Sequence, residues 1–115
     1  MIYFDNAATT PLSPGVIKVM TETMETSFGN PSSLHSHGRQ AKKILRDARE
    51  CVATCLKTSS QQIIFTSGGT ESNNTVIKGY CLKHRQQGKH IITTAIEHHA
   101  VLLPIEYLVQ EYGFE

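Results

Sequence analysis

The stretch that decides the fold is Ile63-Ile64-Phe65-Thr66-Ser67-Gly68-Gly69-Thr70-Glu71-Ser72-Asn73-Asn74. Its first three residues are typical of a short buried β-strand, and apolar residues at helical spacing follow its last. The two glycines between them allow a sharp turn and a close approach to a ligand, because they carry no Cβ. The first amides of a helix have no intrahelical acceptor, so a phosphate could accept hydrogen bonds from them and from the Thr70 or Ser72 hydroxyl. The pattern therefore predicts an anion site.

A simpler interpretation of the same residues stays open. Ser67 or Thr70 could be an ordinary N-cap, with Glu71 placed in the first turn for the helix dipole. No lysine follows the glycines, so the segment is not a Walker A loop, and the GxGxxG dinucleotide pattern is absent. An anion bound here would therefore be the phosphate of a cofactor rather than that of a nucleotide.

Length and composition limit the function classes. The chain has 115 residues, enough for one modest domain, with 39% apolar and 18% charged residues, as in soluble globular proteins. A net charge of +1 provides no strong field for nucleic acid or a membrane surface, and no apolar run could span a bilayer. We expect a cytoplasmic protein without nucleic-acid or membrane partners.

Cysteine and histidine usage does not favour a metal or a disulfide framework. Three cysteines are too few for such a framework, and buried or half-buried thiols are expected at Cys51, Cys55 and Cys81. His35 and His37 have a spacing that could serve a metal, but no carboxylate is adjacent. We predict no metal site.

Helices and strands alternate along the chain. Ser13 and Pro14 predict a helix start, with Ile17, Met20 and Met24 on its packed side. The other predicted elements are a loop from Phe28 to about Gly38, a long helix after it, a second strand at 90–96 and a helix from about Ala100 to Tyr112. This order favours an α/β layer on a mainly parallel sheet, in which ligands bind at the carboxyl ends of the strands.

Two unusual segments lie at such ends, the Gly69-Thr70 turn and the Glu97-His98-His99 corner. Neighbouring parallel strands would bring both to one bound molecule. A histidine there could lie on the ring of a planar cofactor and carry protons near pH 7. The alternative is a histidine at a helix start that merely faces water.

The last residues, Gly113-Phe114-Glu115, follow a helix as a turn into a third strand would. We expect the chain to be the front portion of a larger domain, whose sheet and site are completed by further residues.

Four motifs in this order resemble the N-terminal quarter to third of the NifS/IscS-like cysteine desulfurases. These are pyridoxal-phosphate enzymes with the fold type I architecture of the class V aminotransferases. The motifs are Ile2-Tyr3-Phe4-Asp5-Asn6-Ala7-Ala8-Thr9-Thr10-Pro11, Phe28-Gly29-Asn30-Pro31-Ser32-Ser33, Ile64-Phe65-Thr66-Ser67-Gly68-Gly69-Thr70-Glu71-Ser72-Asn73-Asn74 and Glu97-His98-His99-Ala100-Val101-Leu102.

The resemblance implies an activity and a set of site residues. L-cysteine would be converted to L-alanine, with its sulfur transferred to an enzyme cysteine as a persulfide for iron–sulfur cluster assembly or tRNA thiolation. Gly69 and Thr70 match the pair that holds the cofactor phosphate, and His98 matches the residue that stacks on the pyridine ring and relays protons. The Ala7-Ala8-Thr9 loop matches the substrate side of the pocket. The resemblance thus implies that residues 1–15 form an N-terminal segment lining the active site. It implies that residues 16–115 form the first part of the large cofactor-binding domain, truncated at the start of the third strand. The implied partners are L-cysteine, a sulfur-acceptor or scaffold protein, and a second copy of the full-length enzyme in a homodimer.

In the family, later sequence supplies the Schiff-base lysine, the aspartate that pairs with the pyridine nitrogen and the persulfide cysteine. The three cysteines of this chain do not match the sulfur-carrying position. We therefore predict that the isolated chain does not catalyse desulfuration. Two alternatives stay open, a non-catalytic interaction fragment that dimerises or pairs with a full-length desulfurase, and a different class V enzyme such as a selenocysteine lyase or an aminotransferase.

Overall fold

The computed structural model describes residues 2–115, which form helices joined by turns and extended segments. The helices of this part of the chain are α1 (Pro14–Thr26), α2 (Ser36–Cys55), a 3₁₀ turn (Ser60–Gln62), α3 (Gly69–His84) and α4 (His99–Tyr112). None of the helices in residues 2–115 is both long and apolar enough to cross a membrane.

The chain divides into two compact units. The first ends at Ile64 and contains α1, α2 and the 3₁₀ turn, and the second is Phe65–Glu115 with α3 and α4. The predicted division into residues 1–15 and 16–115 concerns the complete domain and stays a prediction. Its first residue, Met1, lies outside the described residues.

Helix α1 begins where the sequence predicts. Ser13 is the N-cap, its hydroxyl accepts the Val16 N–H at 3.4 Å, and Pro14 is the first helical residue. The predicted burial is wrong, however, since Ile17, Met20 and Met24 are 51%, 48% and 66% exposed. Helical spacing identifies an apolar face, but burial of that face also requires a packing partner.

Helix α2 starts at Ser36, earlier than the predicted loop end near Gly38. The cause is His35, whose Nδ1 accepts the Gly38 N–H at 3.4 Å and so caps the helix. Phe28 of the preceding loop stacks on His37 of α2, with ring centroids 5.5 Å apart. These contacts fold the loop tightly against the start of α2.

The thiols of α2 also differ from expectation. Cys51 and Cys55 are exposed, so the prediction of buried or half-buried thiols is wrong for both, whereas Cys81 on α3 is half-buried as predicted. The two residues that α2 buries most completely beyond its first turn are Ala41 and Ala53. A helix whose buried positions are alanines leaves its other small side chains in solvent.

The second unit has its own core where α3 packs against α4. Ala100 and Leu108 of α4 are buried together with Phe114. Gly113 adopts the left-handed conformation (φ 64°) that ends α4, and the Phe114 N–H donates to the Leu108 carbonyl at 3.3 Å. Glycine tolerates this conformation because it has no Cβ. The turn brings Phe114 back onto the helix it follows.

The predicted strands are not formed, since residues 2–115 contain no strand. Ile64, Ile92 and Ile96, which the sequence assigns to buried strands, are 75%, 88% and 93% exposed. An extended segment becomes a strand only when its amides and carbonyls bond to a neighbouring segment. The prediction of two formed strands is therefore wrong for this part of the chain.

One pair of backbone hydrogen bonds has the geometry of parallel pairing. The Glu115 N–H donates to the Lys89 carbonyl at 2.8 Å, and the Ile91 N–H donates to the Glu115 carbonyl at 2.7 Å. This alternation places Glu115 opposite His90, as in one rung of a parallel ladder. Glu115 thus lies beside the extended segment that contains His90 and Ile91.

Candidate functional site

The turn before α3 leaves its first amides without a cap. Gly68 is the N-cap residue, in extended conformation, and no side chain caps the helix. The first intrahelical bond comes from the Ser72 N–H to the Gly68 carbonyl at 3.1 Å, so the amides of Gly69, Thr70 and Glu71 precede the helical ladder. The alternative interpretation, an ordinary side-chain cap from Ser67 or Thr70, is therefore wrong.

The space in front of these amides is open. A Cβ built on Gly68 or Gly69 would meet no atom within 4 Å. Packing within the described chain therefore does not explain the two glycines. Open space, free amides and the positive end of a helix dipole together suit a phosphate group, so the residues present fit the anionic end of pyridoxal phosphate.

Four polar side chains hold the turn in place. The Glu71 carboxylate accepts from the Ser67 N–H at 2.6 Å and from the Ser67 hydroxyl at 2.7 Å. On the other side, the hydroxyls of Thr66 and Ser72 share a hydrogen bond of 2.7 Å. The Ser67 backbone N–H and then its hydroxyl lower the pKa of Glu71 below its ordinary value. Glu71 is thus ionised and bonded to the turn, where the sequence assigned it only to the helix dipole.

His98 is the N-cap residue of α4. Its Nδ1 accepts the Ala100 N–H at 3.0 Å. A backbone N–H can only donate, so Nδ1 carries no proton and the neutral ring holds its proton on Nε2. The structure therefore fixes both the tautomer and the attachment of the ring to the helix start.

Thr70 and His98 line the same cavity. It has a volume of about 290 Å³ and lies where the first turns of α3 face those of α4. The residues that line it are Thr70, Asn74, Lys78, His98, His99, Ala100, Leu103 and Pro104. Gly69 contributes backbone at the start of α3 and is not part of this wall. Residues from the start of α3 and the start of α4, the two segments that the sequence predicts to meet, thus line one cavity of the second unit.

Asn74, Lys78 and His99 were not predicted as lining residues. Thr70, Asn74 and Lys78 recur every four residues, which is the spacing that puts side chains on one helix face. That spacing could have identified them once Thr70 was placed in the site. The Asn74 amide donates to the Thr70 carbonyl at 3.0 Å, and the Lys78 Nζ lies 4.6 Å from the Tyr107 ring centroid.

The remaining predicted site residues belong to the first unit. Ala7, Ala8 and Thr9 are exposed in a turn closed by the Ala8 N–H to the Asp5 carbonyl at 3.1 Å. The Tyr3 hydroxyl also donates to the Asp5 carbonyl, at 2.8 Å. The role of Ala7, Ala8 and Thr9 on the substrate side of the pocket stays a prediction. Within residues 2–115 no three His, Cys, Asp or Glu side chains form a group that could hold a metal.

Comparison with known proteins places the chain in one class, the class V aminotransferases. The Aminotransferase class-V family model matches residues 2–115, and the chain belongs to this family. It is 49% identical to cysteine desulfurase IscS of Dictyoglomus turgidum over 114 residues, and 50% identical to putative cysteine desulfurase IscS 1 of Bacillus subtilis over the same length. It is also 46% identical to human selenocysteine lyase over 127 aligned positions.

The chain spans less than a third of these relatives. The matches cover 99% of the chain and 29% of the Dictyoglomus protein, 99% and 30% for the Bacillus protein, and 96% and 28% for the human one. Its structure is similar to that of a NifS-like protein (TM-score 0.90, 40% identity, 99% of this chain and 31% of that one). It is also similar to SspA in complex with cysteine (TM-score 0.86, 40% identity, 98% and 32%). The predicted family is therefore confirmed.

Proposed function

We propose that this chain is the cofactor-phosphate part of a cysteine desulfurase, which converts L-cysteine to L-alanine and transfers the sulfur to an enzyme cysteine. The observation that carries the proposal is the shared wall of Thr70 and His98 in one cavity beside the uncapped start of α3. The IscS and NifS names of the relatives support the same activity.

The residues of this chain would bind and orient pyridoxal phosphate. The amides of Gly69 and Thr70, with the Thr70 hydroxyl, would donate hydrogen bonds to the phosphate. His98 would pack on the pyridine ring, and its Nε2 is the nitrogen that can donate a proton, because Nδ1 is bonded to α4. When bound, the cofactor supplies the electron sink for chemistry at the carbon that bears the amino group.

The rest of the reaction is proposed to depend on later sequence. The Schiff-base lysine, the aspartate for the pyridine nitrogen and the persulfide cysteine are expected there, so these 115 residues alone would not catalyse desulfuration. We also propose a sulfur-acceptor or scaffold partner that serves iron–sulfur assembly or tRNA thiolation, a homodimer of the full-length enzyme, and a cytoplasmic location. Ala7, Ala8 and Thr9 would line the substrate side of the site.

We further propose that the extended segments around Ile64 and Ile92 join a mainly parallel sheet in the complete domain. The hydrogen bonds that place Glu115 opposite His90 support this, because they have the parallel pattern. The length of the relatives, more than three times that of the chain, provides room for the additional strands that such a sheet needs.

The test compares two isosteric variants on α3 in the full-length gene product. Thr70→Val removes the hydroxyl at the proposed phosphate site, and Thr75→Val makes the same change at an exposed position outside the cavity wall. A hydrogen bond to a charged group contributes about 1.5–3 kcal/mol, so Thr70→Val should weaken cofactor binding by about tenfold or more. Near-visible absorbance measures cofactor occupancy, and sulfide release measures the activity. Equal occupancy in both variants would contradict the proposed phosphate site.

Specific observations favour two other candidates. The exposed apolar residues Val19, Met24 and Phe28 suit a fragment that dimerises or pairs with a full-length desulfurase. A defined dimer of the 115-residue chain in size-exclusion chromatography would favour that alternative. The human relative named selenocysteine lyase favours a selenium substrate instead. Turnover of L-selenocysteine without turnover of L-cysteine by the full-length product would support this second candidate.

A further inference from the structure

Helix α2 carries a concentration of positive charge that the proposed activity does not use. Five of the eleven Lys and Arg residues of the chain lie on this helix and line one recess of about 330 Å³. We call this set the α2 cationic face. Its members are Arg39, Lys42, Lys43, Arg46 and Arg49.

The spacing of these residues makes the face continuous. Steps of three and four residues keep side chains on the same side of an α-helix. From Arg39 to Arg49 the helix rises by about 15 Å, at about 1.5 Å per residue. Ala41, on another side of the same helix, is buried, so α2 is anchored within its unit. Of the cations, Arg49 is half-buried and the other four are exposed.

Part of this charge is not paired with carboxylates of residues 2–115. Asp47 and Glu50 both approach Arg46, at 3.4 and 3.9 Å, and the three side chains are more than half exposed. Exposed ion pairs of this kind bind weakly. Neither Lys42 nor Lys43 forms an ion pair with any residue in the described range 2–115. The two lysines of the face therefore have unused capacity for anionic groups.

The distribution of charge over the chain limits the size of the ligand. Helix α2 has five cations and two carboxylates, a charge of +3, whereas the whole chain has +1. The residues outside α2 therefore carry a charge of −2 in total. A long polyanion such as a nucleic acid would extend beyond the cationic face onto residues whose net charge is negative and repels it. A ligand about 15 Å long, with carboxylates at helical spacing, matches both the length and the charge of the face.

We propose that the α2 cationic face docks a short acidic helix, of about three turns, from a partner protein. Lys42 and Lys43 would pair with the carboxylates as point charges. The Arg46 guanidinium, whose own ion pairs are exposed, can exchange them for a partner carboxylate in two-pronged geometry. The ion pairs between the α2 cationic face and the acidic helix are exposed to solvent. The docking is therefore weak, transient and sensitive to salt. This docking does not depend on the activity proposed above.

The test uses the full 115-residue chain and three synthetic probes. The first is a helical peptide of about 14 residues with Glu at every third or fourth position. The second is the same peptide with Gln in place of Glu, and the third is a single-stranded oligonucleotide. Binding is measured by fluorescence anisotropy at low and at physiological salt. We expect the acidic peptide to bind more tightly than either other probe, and its affinity to fall as salt rises.

Two charge-reversal variants locate the contact. Lys43→Glu changes the cationic face, and Lys18→Glu makes the same change in net charge on exposed α1. Lys43→Glu should weaken binding of the acidic peptide by about three- to tenfold, whereas Lys18→Glu should change it by less than about twofold. Lys43→Gln, which removes the charge without reversing it, should give an intermediate loss and provides a second variant if Lys43→Glu does not fold.

Three results would overturn the proposal. Equal loss in Lys43→Glu and Lys18→Glu would mean that only net charge matters. Tighter binding of the oligonucleotide than of the acidic peptide would assign the face to nucleic acid. Absence of acidic-peptide binding at low salt would show that the face does not dock such a helix.

Discussion

Replacing Gly38 with alanine should destabilise the start of α2. A Cβ at this position would lie 2.3 Å from the Ser33 carbonyl oxygen, 2.7 Å from the Ser33 Cβ and 2.8 Å from the Asn30 carbonyl oxygen. Two of these three atoms belong to the backbone, so the loop itself has to move. The same movement would disturb the Gly38 N–H bond to the His35 Nδ1, which caps the helix.

The magnitude follows from two opposing effects. Alanine has a better helix propensity than glycine, by about 1 kcal/mol in a helix interior. Forcing an extra methyl group into a packed site costs about 1–3 kcal/mol, and loss of a cap costs about 0.5–2 kcal/mol. With the propensity gain subtracted, we expect Gly38→Ala to lower the free energy of unfolding of the first unit by about 0.5–4 kcal/mol.

Gly15→Ala is the matched control, since Gly15 also lies in the first turn of a helix in the same unit. A Cβ at Gly15 would meet no atom within 4 Å, so only the propensity gain is expected there. Urea denaturation followed by circular dichroism measures the free energy of unfolding, and hydrogen exchange at the Ala41 amide reports on α2. If both variants unfold at the same urea concentration and Ala41 keeps its protection, the close approach at Gly38 does not stabilise the start of α2.

Three further changes test the helix termini. The pKa of Glu71 is lowered by its hydrogen bonds to Ser67. The stability that Glu71 gives the turn is therefore present above the unfolded-state pKa and is lost as the pH falls through the lower folded-state pKa. Glu71→Gln should remove this pH dependence from the hydrogen-exchange rate of the Ser67 amide. His98→Ala should destabilise α4 by about 0.5–2 kcal/mol in thermal denaturation, whereas His98→Asn should retain most of that stability, because asparagine also caps. Gly113→Ala should lower stability by about 1–2 kcal/mol in the same assay, since Gly113 has φ 64°. The control Gly79→Ala should not lower it, because no atom lies within 4 Å of the added Cβ.

Local chemistry made the helix termini predictable. Ser13 and Pro14 define the start of α1 through a hydroxyl cap and a fixed φ, and neither needs distant residues. The Gly68-Gly69 turn was predicted for the same reason, although sequence alone could not decide between a cap and open amides. The geometry of Ser67 decided this, because its hydroxyl is bonded to Glu71 instead of capping α3.

Burial and pairing could not be predicted in the same way. Met20 and Ile92 have the right spacing for a core helix and a buried strand, yet neither is buried: they are 48% and 88% exposed. Each needs a packing or hydrogen-bonding partner that these residues do not supply to it. Asn74 and Lys78 were missed for the opposite reason, since their part in the cavity arises from the packing of α3 against α4 rather than from any motif of their own.

The candidate site is formed by two helix starts, one whose first amides are capped by a side chain and one whose first amides are not. At α4 the His98 ring itself accepts the Ala100 N–H, so the orientation of the ring is set by the helix before any ligand arrives. At α3 no side chain caps the helix, and Glu71 is bonded to Ser67, so the amides of Gly69 and Thr70 stay open to an anion. Because α3 packs directly against α4, a ligand held by both helix starts would meet a site whose two halves are already positioned, and little ordering would oppose its binding.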